Sequence, residues 1–204
     1  DALLAAVTDK TRIVFLANPN NPTGTYLSAD EVARLHIGLP DDVLLVIDAA
    51  YAEYVECADY TCGAELVDTY DNVVMTRTFS KIYGLGGIRL GWAYCSESVV
   101  NVLHRVRGPF NVNGAAQAAG TAAVRDAAFT DRVRVHNRKW LPWTRNRLMD
   151  LGLSVTDSVG NFVLVCFDSI ADKNAEDADA FLKKNGIIVR RMANYDLPEC
   201  LRIT

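Results

Sequence analysis

Three short polar segments each follow an apolar run that is typical of a buried β-strand. They are Asn-Pro-Asn-Asn-Pro-Thr-Gly at residues 18–24, Asp-Ala-Ala-Tyr at residues 48–51 and Thr-Phe-Ser-Lys at residues 78–81. In an open parallel sheet, ligands bind outside the carboxyl ends of the strands, so we expect these segments to meet at one crevice. The sequence therefore predicts a site that contains an amine, a carboxylate, hydroxyls and amides.

Each of these segments, taken alone, also has a purely structural explanation. Asn-Pro and Asn-Asn-Pro-Thr-Gly form tight turns, an Asp at a strand end is often a helix N-cap, and a loop lysine is usually solvated. The glycines at residues 84–91 fit neither the G-x-G-x-x-G pattern nor the P-loop pattern. A dinucleotide-binding dehydrogenase therefore has little support.

Taken together, the segments match the needs of a pyridoxal phosphate site. Such a site needs an amine for the cofactor aldehyde and an acid that keeps the pyridine nitrogen protonated. We expect Lys81 to form the Schiff base and, once substrate releases it, to act as the general base. We expect Asp48 to be a buried carboxylate opposite the ring nitrogen.

The other polar residues suit the remaining groups of the same cofactor. Thr78, Ser80 and Arg89 are suited to a phosphate dianion, with Arg89 as a bidentate clamp. Asn21 and Tyr51 are expected to donate hydrogen bonds to the ring oxygen.

The flanking sequence predicts an α/β fold. Short apolar strands alternate with helical stretches, and Ser28 with Glu31 forms a capping-box pattern, so a mostly parallel sheet covered on both faces is expected. The predicted strands are Arg12–Ala17, Val43–Ile47, Val73–Thr76 and Gly91–Cys95.

The second half of the chain has a different pattern of predicted secondary structure. Glu97–Met149 is predicted to be mostly helical, and a smaller α+β domain is predicted after it. Its predicted elements are strands at Leu153–Thr156, Asn161–Phe167, Ile187–Arg190 and Leu201–Thr204 and a helix at Ala175–Lys184. We predict a large domain over residues 1–148 and a small one over residues 149–204, both partial, because the chain opens on Asp1 and ends in a strand that has barely begun.

Composition excludes several classes of partner. The net charge of −4 gives no general attraction to nucleic acid or to an anionic membrane, and no apolar run has the length of a membrane span. Five cysteines without a CxxC pair predict reduced thiols in a cytoplasmic protein. Three scattered histidines predict no metal site.

The three segments, followed by G-L-x-G-x-R-x-G, resemble the fold-type I aminotransferases that depend on pyridoxal phosphate. Residues 107–113, 160–165 and 189–204 resemble the histidinol-phosphate aminotransferase subfamily more narrowly. The resemblance implies the cofactor roles given above for Lys81, Asp48, Asn21, Tyr51 and Arg89. It also implies a homodimer, and an isolated chain of this length that binds cofactor poorly and turns over slowly or not at all.

The resemblance also implies substrate contacts. Arg202 matches the arginine that anchors a substrate carboxylate, and Arg190 matches the position proposed to meet the phosphate of histidinol phosphate. Asn161 matches a position lining the pocket, although it could simply close the turn after Gly160. One of Arg190 and Arg191 is expected to be merely solvated.

The expected reaction is transamination between histidinol phosphate and 2-oxoglutarate, which gives imidazole-acetol phosphate and glutamate and belongs to histidine biosynthesis. Three alternatives stay open: an aromatic or phenylalanine aminotransferase, a decarboxylase of the same fold such as the threonine-phosphate type, and a non-catalytic domain that kept the fold. Lys81, Asp48 and Arg89 argue against the last, because an inert scaffold needs no lysine there.

Overall fold

The computed structural model describes residues 2–167 and 174–204, which divide into two compact units. The first unit holds residues 2–19 and Tyr26–Val133; the second holds Asn20–Thr25 and the described part of Arg134–Thr204. The change of unit at residues 133–134 lies inside a helix, Ala127–Asp150, and comes earlier than the predicted domain boundary at 148/149. The division into a cofactor domain and a smaller domain stays a prediction.

The first unit is built on a four-stranded sheet in the order β1-β2-β3-β4. The strands are β1 (Ile13–Ala17), β2 (Leu44–Asp48), β3 (Val73–Thr78) and β4 (Gly91–Cys95). The first three strands are parallel and β4 runs antiparallel to β3, so the prediction of a mostly parallel sheet is confirmed. Because β1, β2 and β3 run in one direction, their carboxyl ends meet at one edge of the sheet.

Helices account for many of the other residues of this unit. They are α1 (Ala2–Ala5), α2 (Ala29–Ile37), α3 (Ala64–Thr69), α4 (Glu97–Val106), α5 (Gly114–Arg125) and the start of α6 (Ala127–Asp150), which continues into the second unit. The predicted capping box at α2 is present: the Glu31 N–H donates to the Ser28 hydroxyl, and the Ser28 N–H donates to the Glu31 carboxylate at 2.9 Å. The bond from the Ser28 N–H, with a smaller contribution from the Ser28 side chain, stabilises the charged carboxylate and holds the pKa of Glu31 below its usual value.

One hydrophobic core cluster of the first unit lies on one face of its sheet. Leu45, Ile47, Val73 and Met75 are buried there against Val32 and the other apolar residues of α2 and α3. Burial of each large aliphatic side chain stabilises the unit by about 1.5–3 kcal/mol. Thr76 and Thr78 extend one face of β3 and Arg77 the other, because side chains alternate along a strand.

The second unit has an all-antiparallel sheet in the order β5-β6-β8-β7. Its strands are β5 (Ser154–Val155), β6 (Val163–Cys166), β7 (Arg190–Met192) and β8 (Leu197–Ile203), and helix α7 spans Ala175–Lys184. The strand predicted at Ile187–Arg190 begins three residues later, at Arg190. Ile187 and Ile188 are exposed, so the apolar pair that suggested the strand lies outside it.

The prediction of reduced cysteines was wrong for one pair. Cys166 and Cys200 form a disulfide, while Cys57, Cys62 and Cys95 are free thiols. The two bonded residues lie directly opposite each other on β6 and β8, with 4.2 Å between their Cα atoms. Their separation of 34 residues in sequence hid this pairing, which depends on strand register.

Over the described ranges, 2–167 and 174–204, no helix combines the length and the apolar character needed to cross a bilayer.

Candidate functional site

The carboxyl edge of β2 carries an acidic side chain. Asp48 is the last residue of β2 and pairs in register with Thr76 of β3. Its Oδ1 accepts hydrogen bonds from the Ala50 N–H at 3.2 Å and from the Thr76 hydroxyl at 3.5 Å. The expectation of a buried carboxylate was wrong, because Asp48 is exposed at the strand tip. The backbone bond at Ala50 nevertheless orients the carboxylate at this edge.

The amine lies beside the turn that follows the carboxylate. Lys81 is half-buried, and its Nζ lies 5.0 Å from the centre of the Tyr51 ring. Tyr51 is buried and begins the short 3₁₀ turn Ala52–Tyr54. An ammonium over an aromatic face is attracted by the ring quadrupole, so Tyr51 fixes where the lysine head can sit.

Hydroxyls and a guanidinium gather after β3. The Ser80 N–H donates to the Thr78 hydroxyl at 3.1 Å, and Arg89 Nη1 lies 3.4 Å from the Ser80 hydroxyl. Arg89 Nη1 also donates to the Gly86 carbonyl at 2.8 Å. Arg89 adopts a left-handed backbone conformation, with φ of 57°, which is uncommon for a residue with a side chain. Such strain clusters at ligand-binding sites.

The two asparagines of the first polar segment have different surroundings. Asn18 is fully buried. Its side-chain amide bonds both backbone groups of Leu27: Nδ2 donates to the Leu27 carbonyl, and Oδ1 accepts from the Leu27 N–H. The Tyr60 hydroxyl donates to the Asn18 carbonyl at 2.8 Å, and burial raises the pKa of Tyr60 above its usual value. Asn18 therefore anchors the loop. Sequence reasoning treated it only as a turn former.

Asn21 belongs to the second unit, where it meets Arg202. Arg202 Nη1 donates to Asn21 Oδ1 at 2.6 Å, and the Arg202 guanidinium lies 5.1 Å from the centre of the Phe162 ring. Arg202 Nε is buried and, among the described residues, has no hydrogen-bond partner. A half-buried guanidinium with an unused donor is suited to bind a further anionic group.

A close approach between two loops holds Asn21 in place. The Val159 N–H donates to the Gly24 carbonyl at 2.9 Å, and the Thr156 hydroxyl donates to the Thr23 carbonyl at 2.7 Å. Gly24 has a φ of 75°, and a Cβ there would lie 2.1 Å from the Ser158 hydroxyl oxygen. Only glycine fits this position.

The two arginines at residues 190 and 191 lie on opposite faces of the second sheet. Arg190 pairs in register with Arg202, so both side chains project on one face. Arg191 projects on the other face, where it forms an ion pair with Glu176 of α7 at 3.2 Å. Asn161 is half-buried and directly precedes Phe162.

The predicted residues therefore form two groups. The first unit holds six of them in the segments at or after the carboxyl ends of β2 and β3, namely Asp48, Tyr51, Thr78, Ser80, Lys81 and Arg89. The second unit brings Asn21, Arg190 and Arg202 to one sheet and its adjoining loop, with Asn161 beside the residue that packs on Arg202. Among the described residues, no group of three His, Cys, Asp or Glu side chains is placed to hold a metal.

The chain is similar to known proteins along its whole length. The model of the family described as aminotransferase class I and II matches residues 1–204, the whole chain. The chain belongs to the class I and II aminotransferases. A curated histidinol-phosphate aminotransferase of Paramagnetospirillum magneticum is 61% identical over all 204 residues, and one of Rhodospirillum rubrum is 60% identical.

Solved structures of the family share the fold. A putative histidinol-phosphate aminotransferase from Erwinia carotovora superimposes on the whole chain and on 57% of its own length, with a TM-score of 0.89 and 27% identity. One from Sinorhizobium meliloti, solved in complex with pyridoxal-5′-phosphate, covers 95% of this chain and 52% of its own, with a TM-score of 0.83 and 31% identity. The first unit thus carries the fold-type I sheet. The chain spans 55–56% of the length of the curated relatives named above.

Proposed function

We propose that the protein is a pyridoxal phosphate-dependent aminotransferase that converts histidinol phosphate and 2-oxoglutarate to imidazole-acetol phosphate and glutamate. The observation that carries this proposal is the placing of Lys81, Asp48 and Arg89 around the ends of adjacent strands in a chain of this family. Relatives about 60% identical bear the name of this activity. A 31% identical structure holds the cofactor.

The residues of the first unit fit that cofactor by donor chemistry. Two hydroxyls, on Thr78 and Ser80, and the Arg89 guanidinium form a cluster of donors suited to a phosphate dianion. Asp48 would accept a hydrogen bond from the protonated pyridine nitrogen, and its negative charge would keep that nitrogen protonated. Tyr51 would donate a hydrogen bond to the ring oxygen, and the family resemblance assigns the same role to Asn21.

When bound, the cofactor draws electrons from the carbon that carries the amino group and so makes its proton acidic. Lys81 would hold the cofactor aldehyde through its amine. Once free, the same amine would take the proton from the substrate carbon and return it to the cofactor side, as a general base and then a general acid. The Tyr51 ring limits the positions that the amine can reach.

The second unit offers two cations for substrate anions. Arg190 and Arg202 lie directly opposite each other on neighbouring strands, and like charges so placed repel unless an anion lies between or beside them. Arg202 would bind the carboxylate of glutamate or the phosphate of the other substrate, and Arg190 would meet the phosphate. Asn161 would line the pocket. Guanidinium groups suit both anions, which supports a single site for two substrates.

The complete protein tests this proposal directly. It should form histidinol phosphate from glutamate and imidazole-acetol phosphate, and should prefer that acceptor to the keto acid of phenylalanine in a competition assay. Preference for the phenylalanine pair would favour an aromatic aminotransferase. Released carbon dioxide would favour a decarboxylase, and no turnover of any pair would contradict the enzymatic proposal.

We also propose a cytoplasmic homodimer. The support is the family resemblance and the biosynthetic nature of the reaction, although a disulfide such as Cys166–Cys200 is uncommon in the cytoplasm. Sedimentation of the complete protein should show twice the monomer mass, and a purely monomeric active enzyme would contradict the dimer.

A further inference from the structure

A buried ion pair joins two segments that carry candidate cofactor residues, and neither of its members has a role in the proposed chemistry. Arg77 Nη2 and Nε lie 2.9 Å and 3.3 Å from the same carboxylate oxygen of Glu53. The side chains are only 17% and 7% exposed. Surface ion pairs contribute little to stability, whereas a buried pair is costly to break by removing one member.

The pair lies on the face of the sheet away from the candidate cofactor contacts. Thr76 and Thr78 flank Arg77 in β3, and the Thr76 hydroxyl reaches Asp48 on their face. Alternation along the strand places Arg77 on the opposite face, where its guanidinium lies 5.8 Å from the centre of the Trp92 ring. Arg77 is therefore placed to act through other residues rather than on a ligand.

The pair connects the two segments whose side chains meet at the amine. Glu53 lies in the 3₁₀ turn Ala52–Tyr54, which Tyr51 begins and in which the Tyr54 N–H donates to the Tyr51 carbonyl at 3.0 Å. Arg77 lies in β3, which leads directly into the loop that carries Lys81. A shift of the turn relative to β3 would therefore move the Tyr51 ring relative to Lys81.

The Glu53 carboxylate acts electrostatically on two neighbouring side chains, Arg77 and Tyr54. Burial alone would lower the pKa of Arg77, but the Glu53 carboxylate raises it above its usual value. Burial, with a contribution from the Glu53 carboxylate, raises the pKa of Tyr54 to about 12.

We propose that Glu53 and Arg77 are positioning residues that lock the Tyr51 turn onto β3 and so hold Lys81 in reach of the cofactor aldehyde. This inference rests on the proposed function, since pyridoxal phosphate is the ligand. Two N–H groups on one carboxylate oxygen define an orientation that an apolar contact does not. The pair therefore sets geometry at the amine.

The test compares two cofactor forms in the complete, cofactor-free protein. Pyridoxal 5′-phosphate can bond to Lys81, whereas pyridoxamine 5′-phosphate has the same ring and phosphate but carries an amine in place of the aldehyde. In Glu53→Gln, the dissociation constant for the pyridoxal form should rise about tenfold, the scale expected when a side chain loses its pre-organisation. The constant for the pyridoxamine form should stay within about twofold, because Thr78, Ser80 and Arg89 are untouched.

A double variant separates positioning from folding. Replacing a buried ion pair by apolar side chains of similar volume is often neutral for stability, so Glu53→Leu with Arg77→Met should melt near the wild-type temperature. It should nevertheless bind the pyridoxal form about tenfold more weakly. Asp42→Asn, which removes an exposed partner of Arg12 in the same unit, is the matched control and should change neither constant.

Three results would overturn the inference. They are wild-type affinity for the pyridoxal form in Glu53→Gln, wild-type affinity in the double variant, and an equal loss for both cofactor forms. If the wild-type protein binds neither form, the proposed function fails and this inference fails with it. If the wild type binds the pyridoxal form and Glu53→Gln binds it equally well, only the inference fails.

Discussion

The residues around Lys81 and those around Arg202 are held by different kinds of structure. Near Lys81, the polar groups follow parallel strands and are fixed by short-range bonds such as Ser80 N–H to Thr78 Oγ1. Near Arg202, the groups come from distant parts of the chain, and Asn21 meets Arg202 across 181 residues of sequence. Antiparallel register and loop packing do the positioning there. The first kind of site tolerates changes elsewhere in the chain, and the second depends on its sheet.

The largest effect is expected at the amine. Lys81→Ala should lower turnover in the complete protein by about 10³-fold or more, because it removes both the covalent anchor and the general base. Steady-state rates with saturating glutamate measure this. Lys10→Ala, at an exposed position in the same unit, is the control. Turnover within tenfold of wild type would show that the lysine is misassigned.

The second effect concerns the sheet that carries Arg202. The disulfide closes a loop of 34 residues, so replacing Cys166 and Cys200 by Ser should lower the unfolding free energy of the second unit by about 3–4 kcal/mol. Urea unfolding of wild type and variant under non-reducing conditions measures the difference. Cys95→Ser, which removes a free thiol, should have a much smaller effect. Equal midpoints for wild type and the double variant would show that the bond does not stabilise this sheet.

The third effect distinguishes the two arginines proposed to bind substrate, Arg202 and Arg190, from Arg191, which is not. Arg202→Met should raise the KM for glutamate about 10–100-fold, the cost of a lost charge-assisted hydrogen bond. Arg190→Met should chiefly raise the KM for the phosphorylated substrate. Arg191→Met is the matched control, because its partner is Glu176 on the other face. A larger KM effect in Arg191→Met than in Arg190→Met would reverse the assignment of faces.

These differences explain what the sequence could predict. The strands before Asp48 and Lys81, the capping box at Ser28 and the grouping at the carboxyl edge follow from local patterns. The opposition of Arg190 and Arg202, the Cys166–Cys200 bond and the exposed state of Asp48 depend on strand register and on what packs nearby. The buried Glu53–Arg77 pair joins residues 24 positions apart, so no local sequence pattern indicates it. The only hint in the sequence is that a Glu and an Arg lie beside two predicted site segments.

The smallest effect lies outside both groups and tests the local patterns. Ser28→Ala should destabilise the first unit by about 1 kcal/mol through loss of the α2 N-cap. Because the folded-state pKa of Glu31 is lowered, its contribution is present above its unfolded pKa near 4.5 and is lost as the pH falls through the lower folded value. The stability difference between wild type and Glu31→Gln should therefore shrink below about pH 4.5 in urea titrations. A difference that grows on acidification would contradict this sign.

The site of covalent attachment tests the central claim most directly. The complete protein would be loaded with pyridoxal 5′-phosphate, treated with borohydride to trap the lysine linkage, and digested for peptide mass analysis. We predict one pyridoxyl-modified lysine, Lys81. Modification at another lysine, or no modification in a protein that binds the cofactor, would contradict the account.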